Sequence, residues 1–203
     1  MYILLILLSY LLGCSNMTYY IAKLRGVDMT KGSGNLGTSN AVILMGWGSG
    51  VLAFLHDAGK AVLAVALAKW LLPGQYLAEC VAGVCCVLGH IFPFYLGFKG
   101  GKGFASYLGM TLMLNWKLAL IIAAAVILLT LITDYLVVGT VTTVVSVPVA
   151  LGFVCKSILP PLVLLIATGV ILWKHRENYV RIYKGTEIGL RSTSRGEHRQ
   201  KKE

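Results

Sequence analysis

The chain has 203 residues, 57% of them hydrophobic and 13% charged, with a mean hydropathy of +0.78. Soluble domains carry about 25% charged residues, so this is a membrane protein, and the lack of alternation over about ten residues excludes a strand barrel. Much of the net charge of +10 lies after Trp173, in Lys174, Arg176, Arg181, Lys184, Arg191, Arg195, Arg199, Lys201 and Lys202; with no aromatic platform interleaved, this tail suits anionic lipids on a cytosolic face and not nucleic acid.

Apolar runs of about 20 residues span a bilayer core as helices. They predict an all-α polytopic protein of about seven transmembrane helices, near 2–22, 47–72, 76–97, 103–114, 117–133, 135–154 and 157–174. The first run contains LLGC (Leu11–Cys14), which resembles a lipoprotein cleavage box, but no Lys or Arg precedes the run as a secretory signal requires, so residues 2–22 read as an uncleaved span. The five cysteines lie in or beside apolar runs, with no CxxC pair and no Cys/His spacing suited to zinc, and read as packing residues. No metal and no cofactor is expected. Residues 1–190 read as one membrane domain and 191–203 as a disordered basic tail.

Orientation follows from the lysines and arginines at alternate span ends. Lys23, Arg25, Lys31, Lys99, Lys102 and the tail cations share one side, against Lys69, Lys117 and Lys156 on the other. The first side is therefore cytosolic, with the N-terminus outside and the C-terminus inside. All three polar segments then fall on the cytosolic face.

The first segment, KGSGNLGTSNA (Lys31–Ala41), concentrates glycine, hydroxyl and amide residues. Glycines permit positive φ and close backbone approach, successive amides form an anion-binding concavity, and Ser33, Thr38, Ser39, Asn35 and Asn40 add donors. A helix starting near Ser39 or Asn40 would add free N–H groups. A capped re-entrant turn is the other reading. The second, GHIFPFYLGFKGGKG (Gly89–Gly103), brackets two glycines with Lys99 and Lys102 and places His90 one span end earlier; it reads as a two-cation site or as a flexible turn with a positive anchor. In the third, HRENYVRIYKGTE (His175–Glu187), His175, Asn178 and Arg181 share a helical face that suits phosphate, or belong to a solvated basic tail. HDAGK (His56–Lys60) places Asp57 and Lys60 within or at the edge of the second span, where ionisable groups are paired or functional; a structural ion pair is expected. Together, the segments imply a phosphorylated ligand at the cytosolic membrane surface.

The segments GSGNLGTSN, GHIFP with FKGGKG, and HRENYVR with GTE occur in this order. In these motifs, and along almost the whole length, the chain resembles the bacterial integral-membrane acyl-phosphate:glycerol-3-phosphate acyltransferases. The resemblance implies transfer of a fatty acyl group from acyl-phosphate to the 1-hydroxyl of glycerol 3-phosphate in phospholipid synthesis. Lysophosphatidic acid and phosphate would be the products, and the setting a multi-pass protein of the bacterial cytoplasmic membrane. By motif match, Ser33, Ser39, Lys102, His175 and Asn178 would contact phosphate groups, with Asn35, Asn40, His90 and Lys99 shaping the site. Thr38 and Arg181 belong with the binding residues, and Glu187 joins Asp57 and Lys60 as structural.

Lys102, His90 and Ser33 are the expected catalytic residues. An acyl-phosphate already carries a good leaving group, so orientation and charge stabilisation suffice. Lys102 would supply the charge, and a phosphate oxygen or His90 would take the hydroxyl proton. Membrane lipid, and a soluble enzyme that produces acyl-phosphate, are the expected partners. The chain departs from the family pattern where an arginine usually stands near Ile43, at Asp28-Met29-Thr30, at Thr133–Tyr135 with Val137 in a usual serine position, and at Ile188-Gly189. These changes leave open another phosphorylated alcohol as acceptor, or a non-catalytic anion-binding, lipid-binding or transport protein.

Overall fold

A computed structural model describes residues 1–198, and its described residues form helices and connecting turns without strands. The first apolar run is two helices and not one: α1 (Tyr2–Cys14) and α2 (Met17–Arg25) are separated at Ser15 and Asn16. Asn16 is extended at φ −139°, and its side chain caps α2 by accepting from the Tyr19 amide at 2.8 Å. A short helix, α3 (Thr38–Met45), follows the first polar segment, with Gly37 at its N-cap. Gly46, at φ 84°, separates it from the long α4 (Trp47–Leu71). The next helix, α5 (Tyr76–Ile91), stops six residues short of the expected 97. Pro93 lacks an amide proton and disfavours helix at Phe92, and a 3-10 turn (Phe94–Leu96) follows.

The remaining apolar runs give α6 (Phe104–Leu114), α7 (Trp116–Thr133), α8 (Leu136–Val154) and α9 (Leu159–Lys174). Helix α10 (Arg176–Tyr183) continues from α9 after a break at His175. The tail, expected to be disordered from 191, starts as helix α11 (Leu190–Ser194). It is held by Asp134, whose backbone carbonyl accepts from the Leu190 amide at 2.8 Å and whose Oδ1 accepts from the Arg191 amide at 2.9 Å. Arg199, Lys201 and Lys202 lie outside the described residues.

Among the described residues, five helical stretches are long and apolar enough to cross a bilayer: Tyr2–Arg25, Trp47–Leu71, Tyr76–Leu96, Trp116–Thr133 and Leu136–Val154. Helices α6 and α9 are apolar but have only 11 and 16 residues. Leucines and isoleucines on α7 (Ile121, Leu128, Leu131, Ile132) face outward, as expected where the solvent is lipid. Without a hydrophobic drive between helices in lipid, close packing of small residues holds them together. A Cβ at Gly109 would lie 2.1 Å from the Ala58 carbonyl oxygen, so α6 meets α4 backbone to backbone. The core between α4, α5, α6, α8 and α9 is filled by Val65, Val87, Tyr107, Met110, Val147 and Leu164.

Candidate active site

The turns that follow α2, α5 and α9 converge on one cavity of about 340 Å³. The first contributes Ser33, Asn35, Thr38 and Ser39, the second Lys102, and the third His175, Asn178, Arg181 and Glu187, while His90 and Asp57 reach it from α5 and α4. Residues more than 140 positions apart in sequence thus share a single space.

The first turn is shaped by Asn40, which is fully buried. Its Nδ2 donates to the carbonyls of Met29 (3.1 Å), Lys31 (3.2 Å) and Asn35 (2.9 Å), and its Oδ1 accepts from the Ser33 amide at 2.8 Å. Fully buried, bonded to the backbone through both ends of its amide and absent from the cavity lining, Asn40 builds the cradle and does not line it. Asn35 does line the cavity, and its Nδ2 donates to Ser33 Oγ at 2.9 Å while its Oδ1 accepts from the Gly37 amide at 2.9 Å.

The second turn is pinned to the end of α5. The Gly100 amide donates to the Ile91 carbonyl at 3.1 Å and the Gly101 amide to the His90 carbonyl at 3.2 Å, while the Leu36 amide reaches the Gly100 carbonyl at 3.4 Å. The third bond stitches the first two turns together. Lys102 points into the cavity; Lys99 is exposed and does not line it. The expected convergence of two lysines therefore reduces to one.

Lys102 Nζ donates to Asn178 Oδ1 at 2.5 Å, and Asn178 Nδ2 donates to Glu187 Oε1 at 2.5 Å. Arg181 Nε donates to the other Glu187 oxygen at 2.6 Å. Glu187 thus orients both Asn178 and Arg181, and through Asn178 it fixes Lys102. Burial, with Arg181 nearby, pushes the Lys102 ammonium down to about 8. His175 is buried, its Nδ1 lies 2.8 Å from the Ile171 carbonyl, and burial pushes it down to about 4, so its ring is neutral at pH 7. Its Nδ1–H donates to that carbonyl, which leaves Nε2 as an acceptor. The Asp57–Lys60 ion pair is formed at 3.0 Å, with both side chains nearly inaccessible.

Sequence reasoning missed the apolar wall. Phe54, Ile43, Val126, Ile127 and Leu136 also line the cavity, as its apolar part. Phe54 could have been read from its position three residues before Asp57, on the same helical face. The Val126, Ile127 and Leu136 contributions depend on how α7 and α8 pack, which no local pattern specifies. Val137 borders the cavity, and one turn on the Thr140 hydroxyl donates to the Leu136 carbonyl at 3.2 Å. A second cavity of about 290 Å³ adjoins the first and shares Thr38, Ser39, Ile43, Phe54, Leu136 and Ile188 with it.

Known proteins share both fold and sequence with this chain. The family profile described as glycerol-3-phosphate acyltransferase matches residues 3–185. Glycerol-3-phosphate acyltransferase 1 of Oceanobacillus iheyensis is 34% identical over 94% of this chain and 96% of its own length. The glycerol-3-phosphate acyltransferase of Clostridioides difficile is 38% identical over 92% of this chain and 94% of its own. The crystal structure of PlsY (YgiH), an integral membrane glycerol 3-phosphate acyltransferase, in its glycerol 3-phosphate form superposes with a TM-score of 0.89 at 29% identity, covering 95% of this chain and 97% of that one. Its lysophosphatidic acid form superposes with a TM-score of 0.84 at 30% identity, covering 93% and 94%. The chain belongs to the glycerol-3-phosphate acyltransferase family of integral membrane proteins.

Proposed function

We propose that the protein transfers a fatty acyl group from acyl-phosphate to the 1-hydroxyl of glycerol 3-phosphate. The hydroxyl oxygen attacks the acyl carbon, the bond from that carbon to the phosphate oxygen breaks, and phosphate leaves with the bonding electrons and the hydroxyl proton. The products are lysophosphatidic acid and inorganic phosphate. The observation that carries this reading is the convergence of Ser33, Lys102, Asn178 and Arg181 on one cavity that apolar side chains also line. Such a cavity suits a polar head beside an acyl chain. Lys102, held by Asn178, balances charge as the phosphate departs. Ser33, Thr38 and Ser39 supply hydroxyls to phosphate oxygens, and the adjoining cavity extends the apolar path for the chain.

In this reading α6 and α9 complete two further crossings, giving seven spans with the N-terminus outside. The short α6 fits by tilt or local thinning of the bilayer. The site then faces the cytosol of a bacterium from its cytoplasmic membrane, and residues 1–190 act as one domain. A soluble enzyme that makes acyl-phosphate supplies the donor. Ile43 on the cavity wall removes a position where the acceptor phosphate could meet a cation, which favours as a second reading an acceptor other than glycerol 3-phosphate among phosphorylated alcohols.

Purified protein given palmitoyl-phosphate, with and without glycerol 3-phosphate, separates these readings. Acceptor-dependent phosphate release with formation of lysophosphatidic acid, lost in Lys102→Ala, is expected. Release that ignores glycerol 3-phosphate would transfer the weight to the second reading, and no release by folded protein would remove both.

A further inference from the structure

At the edge of the cavity, one imidazole meets a buried ion pair. Asp57 and Lys60 lie one turn apart on α4, and His90 lies in the last turn of α5; their exposures are 0%, 5% and 2%. Lys60 Nζ has three neighbours within hydrogen-bonding reach: Asp57 Oδ1 at 3.0 Å, the Ser15 carbonyl at 2.6 Å and His90 Nδ1 at 2.9 Å. An ammonium has three protons and no lone pair, so these three acceptors account for all of them. A buried carboxylate needs a paired charge, which keeps Lys60 an ammonium. Asp57 Oδ1 is also 3.4 Å from His90 Nδ1, but a proton on Nδ1 would point at the ammonium protons 2.9 Å away. His90 Nδ1 must therefore accept, and a neutral ring that accepts at Nδ1 carries its proton on Nε2; the hydrogen-bond network assigns the tautomer.

Nε2 is the nitrogen that points towards the second turn. A Cβ at Gly101 would sit 2.1 Å from it, so Gly101 packs close to that edge of the ring and no larger residue fits there. His90 borders the cavity together with Ser33 and Lys102. We propose that Asp57 and Lys60 lock His90 as the Nε2–H tautomer, so that His90 donates a hydrogen bond to the developing oxyanion of the acyl carbonyl and does not take the hydroxyl proton. The proposal rests on the acyl-transfer reading above. Asp57 and Lys60 are then positioning residues, and the hydroxyl proton leaves with the departing phosphate.

Two measurements test this. The protein labelled with ¹⁵N-histidine has four such residues, His56, His90, His175 and His198, and the signals lost in His90→Gln identify its ring. In the unaltered protein, His90 Nδ1 is expected to resonate as an unprotonated nitrogen and Nε2 as a protonated one, and in Lys60→Met this preference should be lost. A protonated Nδ1 in the unaltered protein would overturn the proposal without reference to activity or to the folding of any variant. Formation of lysophosphatidic acid from palmitoyl-phosphate and glycerol 3-phosphate is the second readout. The Gln amide can donate from near the Nε2 position but cannot serve as a base, so His90→Gln should keep activity within about tenfold, whereas His90→Ala should lose about 10²–10³-fold in kcat, the usual cost of an oxyanion donor. Equal losses in Gln and Ala would overturn the donor role. Failure of the unaltered protein to form lysophosphatidic acid would instead strike the acyl-transfer reading, and the donor role would fall with it whatever the tautomer.

Discussion

The turns at Lys31–Asn40 and Gly97–Gly103 are both rich in glycine and polar side chains, yet they are built in opposite ways. The first is held largely from within: Asn40 reaches back to the Lys31 and Asn35 carbonyls and the Ser33 amide, and just beyond the segment to the Met29 carbonyl. The second is held from without, its glycine amides bonded to the end of α5 and its Gly100 carbonyl accepting from Leu36. The first turn meets its surroundings at Leu36, whose carbonyl accepts from Asn16 Nδ2 at 3.1 Å and whose amide reaches Gly100, whereas the pinned turn transmits any shift of α5 directly to Lys102. The same contrast separates residues that face the ligand from residues that only shape its place.

The largest expected effect lies in the pinned turn. Lys102→Ala should lower kcat/KM for glycerol 3-phosphate by about 10³-fold, the upper range for a lost electrostatic donor, as read by lysophosphatidic acid formation. Gly101→Ala should follow at about 10²-fold, although it removes no functional group. Its Cβ would fall 2.1 Å from His90 Nε2, so either the ring or the turn must move, and displacements of about 1 Å carry costs of that order. A Gly101→Ala protein with full activity would show that the turn has slack.

Asn40→Ala tests the self-stitched turn. It strips one amide and three carbonyls of partners within a buried site, at about 1–3 kcal/mol for each group that water cannot reach. A loss of about 3 kcal/mol is expected in the free energy of unfolding in detergent, with a fall in activity of about thirtyfold. If activity fell without loss of stability, Asn40 would be touching the ligand after all.

How much of this could be read from the chain follows the same division. The spans 47–72, 117–133 and 135–154 were legible because each is a long apolar run with a clear stop, and Trp47–Leu71, Trp116–Thr133 and Leu136–Val154 lie within a residue or so of those bounds. The break at Ser15 and Asn16 was not legible, because the residues that support it are distant: Lys60 donates to the Ser15 carbonyl and Tyr95 to the Cys14 carbonyl. The polar motifs announced which segments matter. They did not say which way a side chain points, so Lys99 and Lys102 looked alike, and Asn35 looked like Asn40. That distinction depends on long-range contacts such as Leu36 to Gly100. The apolar wall from α7 and α8 was likewise hidden in runs of uniform hydrophobicity.

Smaller effects come from pH. Lys102 is pushed down to about 8 by burial, so its charge is present below that pH and lost as pH rises through it. Above about pH 8, kcat/KM should fall by about tenfold per unit, since this parameter reports the free enzyme. Lys102→Arg keeps its charge throughout, so that limb should flatten even if the overall rate is lower. A limb unchanged by Lys102→Arg would belong to another group.

The smallest expected effect is that of Lys99, and it bears most directly on the contrast between the two lysines. Lys99 is exposed and outside the cavity lining, three residues from a lysine that is inside it. Its charge can act on an anionic substrate only through solvent, where the Debye length is about 8 Å at physiological ionic strength. Lys99→Ala should therefore alter kcat/KM by less than about twofold at 0.15 M salt and by more at low salt, where a cation near the mouth of a site raises the encounter rate. The change should fall in kcat/KM with kcat untouched. A loss comparable to that of Lys102→Ala, insensitive to salt, would mean that the turn rolls inward on substrate binding and brings both lysines to the phosphates; the pinning by Ile91 and His90 argues against such a movement, because it would have to break both backbone bonds.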